Sequence, residues 1–432
     1  MDINRKTAYA ALLDVEKKKS YSNIALNHQI VCLRPNNEAF VRRLVYGVLE
    51  NKILLDYVID KLIPNDISKV KINDLVILRM GIYQLAKMDS VPEYAAVNEC
   101  VILAKKYAKG RDGFINGVLR SYINNKFSIK LPDRTEDEIY YLSVKYSYAP
   151  WIIKLWMESY EPEFVEELLK AGNEVPDNEI RLNWLKIMKP DLIARLEAKG
   201  HEVKEGKYCQ NTLHVSGGGL VDSKLYQEGF YSMQDEASQM AVQILDPKQG
   251  DTVIDVCAAP GGKTLAIGER MNNKGTITAS DIYKRKVEII DREAKRLGIT
   301  NIKTRTWDAT RVDSSLVGKA DKVIADVPCS GLGVIRRKPE IKYKENTEDM
   351  TGLPRKQLSI LSASSKYVKP GGILMYCTCT IDQYENERVV SDFLRKNAAF
   401  KIDETKQLLP NVNGTDGFFI CKMKKNDSLI EK

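Results

Sequence analysis

Three short stretches of this chain carry residues able to do chemistry: Asp255-Val-Cys-Ala-Ala-Pro-Gly-Gly-Lys-Thr264, Asp326-Val-Pro-Cys-Ser-Gly331 and Cys377-Thr-Cys379-Thr380. The second and third each set a thiol among small polar residues, and the second adds a carboxylate just before its thiol. Such a pair suits covalent catalysis on an electron-poor ring. A thiolate adds, an acid protonates the ring, and a base later removes a proton so that the thiol can leave. Methylation of cytosine at carbon 5 needs this set, because carbon 5 becomes nucleophilic only after a thiolate adds to carbon 6. The thiol must ionise, so its pKa must fall from ~8.5 or a neighbour must take its proton. An arbitrary cysteine is more often a small buried hydrophobe, and that is the expectation for Cys32, Cys100 and Cys209.

The first stretch reads as a cofactor loop. Gly261 and Gly262 let a ligand approach the backbone, where the free N–H groups of a helix start would face it. Cys257 would contribute there through its backbone. Gly262-Lys263-Thr264 also fits the end of a phosphate-binding loop, G-x-x-x-x-G-K-[ST], which makes an NTPase a competitor. Against that, Cys257 stands where the first glycine belongs, and Pro260 stiffens the loop. Asp281 and Asp308 follow on the next strands, where carboxylates can accept hydrogen bonds from a ribose or lie near an adenine. Each alone is as consistent with a helix or turn cap; as a series they favour a nucleoside without phosphates.

The elements that must position these residues are legible in outline. From Gly250, apolar runs of four to six residues alternate with helical stretches of ten or more, the pattern of a parallel sheet covered on both faces. Asp255, Asp281, Asp308, Asp326 and Cys379 all fall at carboxyl ends of expected strands, where ligands of such sheets bind. An antiparallel strand is expected near Phe418. Residues 1–128 read as all-helical, with Ala8, Ala11, Leu12 and Val15, then Phe40, Leu44 and Val48, then Leu75, Leu78, Ile82 and Leu85 at helical spacing. Residues 129–228 read as a linker with two helices and a small α+β unit, and 229–432 as the catalytic domain.

Composition narrows the class. The chain has 432 residues, 44% hydrophobic and 29% charged, suited to two or three soluble domains. It contains no apolar run of ~20 residues, and no membrane partner is expected. Eight scattered cysteines predict reduced thiols in a cytoplasmic chain. Three histidines and no second cysteine pair predict no metal. The net charge of +8 is confined to residues 1–130, with 21 Lys+Arg against 13 Asp+Glu; the rest holds 45 of each. A basic module for a polyanion beside a neutral catalytic body follows, although a solvated helical surface would look similar.

The three stretches resemble signatures of the NOL1/NOP2/Sun family of RNA 5-methylcytosine methyltransferases. Tyr231-Ser-Met-Gln234-Asp-Glu-Ala-Ser-Gln239 is similar to the family's lead-in motif, and Asp416-Gly-Phe-Phe419 to its closing strand. Ala96-Val-Asn98-Glu99 through Gly113-Phe-Ile-Asn-Gly-Val-Leu-Arg120 resembles the NusB-like RNA-binding fold, a fusion found in bacterial small-subunit ribosomal RNA methyltransferases. The resemblance implies a Rossmann-like catalytic domain behind a NusB-like domain, acting as a monomer on ribosomal RNA. It implies that Cys257, Ala258, Ala259, Pro260, Gly261, Gly262, Lys263, Asp281, Asp308 and Asp326 contact S-adenosylmethionine. Cys379 would be the nucleophile, Cys329 would assist release, and Asp326 would hold the cytosine. Cys377 and Thr380 stand where serines are common, and the side chain of Cys377 is expected on the opposite face of its strand from Cys379. Transfer RNA remains an alternative substrate, and a non-catalytic RNA-binding assembly factor an alternative class.

Overall fold

The structure, a computed structural model, describes residues 1–344 and 352–427. It divides into two compact units. One comprises Met1–Glu174 with the segment Ile335–Glu345; the other holds Val175–Val334 and Asn346–Lys432.

The first unit is helical. Helices α1 (Ile3–Lys18), α2 (Ser22–Leu33), α3 (Glu38–Glu50), α4 (Lys52–Leu62), α5 (Ile72–Lys87), α6 (Glu93–Tyr107) and α7 (Asp112–Asn125) surround one apolar core. The residues spaced by threes and fours in the sequence supply it: Ala8, Ala11, Leu12, Leu44, Val48, Leu78 and Ile82 are all buried. Asp2 caps α1 by accepting the Arg5 N–H, and Asn37 caps α3 by accepting that of Phe40. Helices α8 (Glu138–Tyr146), α9 (Pro150–Met157) and α10 (Pro162–Ala171) complete the unit. The segment from Ile335 is fastened here by Lys342, whose Nζ donates to the Glu50 and Tyr146 carbonyls and to Asn173 Oδ1. No helix among the described residues is long and apolar enough to cross a membrane.

The second unit holds two sheets. The small one has the order β2-β3-β1-β4, all antiparallel, from β1 (Asn178–Leu182), β2 (Val203–Glu205), β3 (Thr212–Val215) and β4 (Tyr231–Met233). Helix α11 (Lys189–Glu197) lies between β1 and β2 in sequence and packs Leu192 and Leu196 into its core. Residues 231–233, read from sequence as lead-in to the catalytic domain, thus complete the small sheet.

Among the described residues the large sheet has seven strands in the order β10-β11-β9-β8-β5-β6-β7. Strands β5 (Thr252–Asp255), β6 (Thr276–Asp281), β7 (Ile302–Thr306), β8 (Ala320–Asp326) and β9 (Val368–Thr378) run parallel. Strand β11 (Phe418–Lys425) lies antiparallel to β9, as expected from sequence, and β10 (Phe400–Leu408) pairs with β11. Alternate residues face opposite layers. Ile254, Val323, Leu374 and Tyr376 enter one apolar layer, and Val253, Ile324, Met375 and Cys377 the other. The strand order reverses at β5, with β6 and β7 to one side and β8 and β9 to the other. Crevices at such reversals are where sheets of this kind bind ligands.

Candidate active site

The loop leaving β5 enters helix α12 (Gly262–Arg270). Its backbone is pinned to both neighbouring strands: Val256 N donates to the Ile324 carbonyl and Ala258 N to that of Ser280. Cys257 is half-buried, Ala258 buried, Ala259 half-buried and Pro260 exposed; the Ala259–Pro260 peptide is cis. Gly261 caps α12 with φ +111, a backbone region that favours glycine. A Cβ there would also stand 3.3 Å from Leu265 and 3.4 Å from Ile290.

Lys263 decides between the two readings of this loop. Its Nζ donates to Asp326 Oδ2 at 2.7 Å and sits 4.8 Å from the centre of the Phe418 ring. Burial pulls its pKa down, but the Asp326 carboxylate more than offsets this and holds the lysine charged. Thr264 is fully buried and donates to Asp255 Oδ2 at 2.6 Å. A phosphate-binding loop needs this lysine for phosphate and this hydroxyl for a metal ion. Both are committed inside the protein, so the NTPase alternative fails on geometry.

Asp255 is buried, with Oδ1 lacking a hydrogen-bond partner, and burial pushes its carboxyl up to about 7. Asp281, buried at the end of β6, accepts the Tyr283 N–H through Oδ1. Asp308 lies two residues beyond β7 and accepts the Thr310 N–H and hydroxyl through Oδ1; its Oδ2 is 3.7 Å from Arg311 Nε. Asp281 and Asp308 are thus local caps, and all three carboxylates stand at the carboxyl edge of the sheet. A loop with a left-handed glycine, acidic groups on successive strand ends and a lysine withheld from solvent fit a nucleoside cofactor lacking phosphates. Among the described residues no cluster of three or more His, Cys, Asp or Glu is arranged to hold a metal ion.

The two thiols meet on the other side of the loop. Cys329 follows β8, Cys379 follows β9, and their Sγ atoms are 3.2 Å apart. The sulfur–sulfur hydrogen bond, and then burial, push the Cys329 thiol well above its usual value. Strand pairing sets Asp326 opposite Cys377, bringing the carboxylate to the same edge. Cys377 lies in the buried layer against which Cys379 also packs. The expectation of opposite faces is therefore corrected: although Cys379 stands just past β9, its side chain packs against the same layer that holds Cys377. Cys100 and Cys209 are buried as expected, whereas Cys32 is exposed on α2.

Several positioning residues escaped the sequence reading. Glu385 is buried and accepts the Ser330 N–H at 2.9 Å and the Gln357 side-chain amide at 2.7 Å. The same Gln357 amide donates to the Pro328 carbonyl, so the peptide groups flanking Cys329 are held on both sides. Ser330 Oγ lies 2.8 Å from Thr380 Oγ1, which joins the two cysteine loops. Asn386 bonds the Thr378 hydroxyl and the Thr380 carbonyl, bracketing Cys379. Gly333 N donates to the Cys379 carbonyl and Gly417 N to that of Gly333. A Cβ on Gly417 would stand 2.7 Å from the Gly333 Cα, which explains the glycine of Asp416-Gly-Phe-Phe419. From the small sheet, buried Arg181 pairs with Glu269 and donates to the Gly262 carbonyl at 2.9 Å. The Glu385-Asn386 pair just after Cys379 was the available signal; Arg181 and Gln357 carry none, because they act across distant sequence.

This arrangement defines an S-adenosylmethionine-dependent methyltransferase of Rossmann-like build. Comparison with known proteins gives the family. Residues 242–424 match the 16S rRNA methyltransferase RsmB/F model, residues 2–124 the NusB family, and residues 148–222 the ferredoxin-like domain of the RsmF/B-like methyltransferases. The chain belongs to the RsmB/F methyltransferase family. It is 37% identical to the probable ribosomal RNA small subunit methyltransferase B of Bacillus subtilis, covering 98% of each chain. Against ribosomal RNA small subunit methyltransferase B of Vibrio cholerae the identity is 31%, again over 98% of each. The crystal structure of PH0851 superposes with a TM-score of 0.83 at 26% identity, covering 97% of this chain and 98% of that one.

Proposed function

We propose that this protein methylates carbon 5 of a cytosine in small-subunit ribosomal RNA through a covalent bond between Cys379 and carbon 6. The observation that carries this reading is the 3.2 Å contact between the Cys329 and Cys379 sulfurs, beside an Asp326 held by buried Lys263. The choice of small-subunit RNA rests on the names of the relatives above.

Cys379 is assigned the attack. A neighbouring thiol that keeps its own proton can donate a hydrogen bond to the Cys379 sulfur and stabilise it as the thiolate. Its addition forms the S–C6 bond and moves the ring's electrons toward carbon 5. Asp326 is assigned to the N3 and amino edge of the cytosine, where it supports the proton that N3 gains. Bound S-adenosylmethionine supplies an electrophilic methyl group. The loop 257–263 with Asp281 and Asp308 would hold it. After carbon 5 is alkylated its remaining proton leaves to a base, the S–C6 bond breaks, and the electron pair returns to Cys379. Cys329 is assigned to this release.

The test uses transcribed small-subunit RNA carrying 5-fluorocytosine. Fluorine cannot leave as a proton does, so the protein should remain covalently bound to RNA on a denaturing gel, and only when S-adenosylmethionine is present. No adduct, with turnover intact on ordinary RNA, would contradict the covalent route.

A further inference from the structure

The helical unit contains a cleft of about 690 Å³ between α6 and α7 that the chemistry above does not use. Its size lies within the roughly 300–1,000 Å³ range of sites that hold a compact organic ligand. Val97, Val101 and Ile123 give it an apolar lining. At its rim Tyr94 is 79% exposed, an unusual position for a large aromatic ring with no packing duty. Asn98 on α6 and Asn116 on α7 bring two side-chain amides to the cleft, each offering donors and an acceptor. Gly113 and Gly117, on the first turns of α7, leave open space where side chains would stand.

The cleft is lined by two cations, Lys105 and Arg120, and two carboxylates, Glu93 and Asp112, within a stretch of chain that is basic overall. Residues 93–130 contain seven Lys or Arg and three Asp or Glu, a net of +4, half of the chain's total of +8. Two of the seven, Lys105 and Arg120, line the cleft. Arg120 Nε donates to Asn116 Oδ1, and among the described residues no carboxylate lies within ion-pair distance of Lys105 or Arg120. Of the two carboxylates in the lining, Glu93 is paired with Lys126 at 2.9 Å, and Asp112 sits in the first turn of α7, where the helix dipole favours a negative charge.

We propose that the α6–α7 cleft is a single-stranded RNA subsite that takes one unstacked nucleobase of the substrate. Tyr94 provides the stacking face, Asn98 and Asn116 bond the base edge, and Lys105 and Arg120 meet the flanking phosphates. An exposed aromatic ring, paired amides and unneutralised cations are the combination by which unpaired RNA is held. A peptide would need only the apolar lining and leaves the cations without purpose. The inference rests on the RNA substrate proposed above and adds where on the helical unit that RNA is held.

The test uses the full-length protein and a labelled transcript of small-subunit ribosomal RNA, with half of its uridines replaced by photoreactive 5-iodouridine. Tyr94→Ala should weaken binding about tenfold, whereas Tyr94→Phe should bind as wild type. Replacing Lys105 and Arg120 together by Ala should lower the slope of log affinity against log salt by about 1.4. S-adenosylmethionine affinity should not change in any of them. Irradiation should cross-link RNA to Tyr94, located by mass spectrometry of the digested protein. Variants that bind the transcript within twofold of wild type, with no cross-link on α6 or α7, would overturn the proposal. So would variants that keep transcript affinity but lose affinity for the assembled small ribosomal particle, since the cleft would then take a protein. Binding is read separately from methylation. A wild-type protein that cross-links at Tyr94 without methylating the transcript would overturn the proposed function and leave the cleft standing.

Discussion

The loops bearing Cys329 and Cys379 leave neighbouring parallel strands and bring their sulfurs into contact, yet they are held differently. The Cys329 loop is fastened at the peptide groups on both sides of the thiol, to Gln357 and to buried Glu385. Cys379 stands one residue past β9, bracketed by Asn386 and Gly333 through its neighbours' hydroxyl and carbonyl groups and its own carbonyl. The clasp keeps Cys329 half-buried beside the Cys379 sulfur, whose hydrogen bond, and then burial, disfavour its thiolate. Two identical side chains thus stand in different hydrogen-bond surroundings, and a motif alone cannot rank them as nucleophiles.

The largest expected effect falls on Cys379. Cys379→Ser should lower turnover on the order of 10⁴–10⁶-fold and abolish the 5-fluorocytosine adduct, because a hydroxyl is a poor nucleophile at neutral pH. Initial rates of methyl transfer and the denaturing gel read the two losses independently. Adduct formation by the serine variant would erase the contrast between the loops.

Lys263→Met removes the cation that holds Asp326 while leaving both thiols in place. Turnover should fall about a hundredfold, the size of effect expected when a reacting group is misplaced by an ångström. RNA affinity should persist. Single-turnover rates at saturating RNA would check this; an unchanged rate would mean that Asp326 does not depend on its lysine.

Glu385→Gln weakens only the clasp on the Cys329 side. A loss of about tenfold in kcat is expected, corresponding to one hydrogen-bond change of ~1.4 kcal/mol. KM for RNA should stay within twofold. A change in KM alone would assign Glu385 to general folding of the loop.

The smallest effect is a shift in pH. The Cys329 pKa is raised in the folded protein, so its alkylation by iodoacetamide should begin at higher pH than for an ordinary thiol, whose pKa is ~8.5. Cys379→Ala removes the largest cause of the shift, the sulfur hydrogen bond, and should move alkylation of Cys329 to lower pH. Mass spectrometry of each cysteine peptide across pH 6–10, roughly the window in which thiols titrate, measures it. Alkylation of Cys329 at the same pH in both proteins would show that burial alone sets its state.

Much of this architecture was legible in the sequence because it is written locally. Strand-length apolar runs, helical spacing and the acidic strand ends place Asp255, Asp281, Asp326 and Cys379 at one edge of a parallel sheet. What failed to show acts across long sequence separations or contradicts local pattern. Arg181 reaches Glu269, and Glu385 reaches Ser330; neither pairing leaves a trace in a periodicity. Strand β10 is an edge strand whose residues Lys401 to Gln407 are mostly polar and at least partly exposed, so it lacks the apolar run of its neighbours. Residues 229–432 read as one catalytic domain, but the segment from Ile335 belongs to the helical unit through the buried Lys342, for which burial lowers the pKa to about 7. Cys379 lies just past the end of β9, so strand alternation does not fix its face relative to Cys377, and their shared layer shows only in the packing.

The central claim, that Cys379 attacks and Cys329 releases, is tested most directly by comparing Cys329→Ala with Cys379→Ala on ordinary small-subunit RNA with S-adenosylmethionine present. Cys329→Ala can still form the S–C6 bond and accept the methyl group but is slow to break that bond, so it should accumulate a protein–RNA species that survives a denaturing gel. Cys379→Ala should show none. The reverse pattern, with the trapped species in Cys379→Ala and none in Cys329→Ala, would contradict the account.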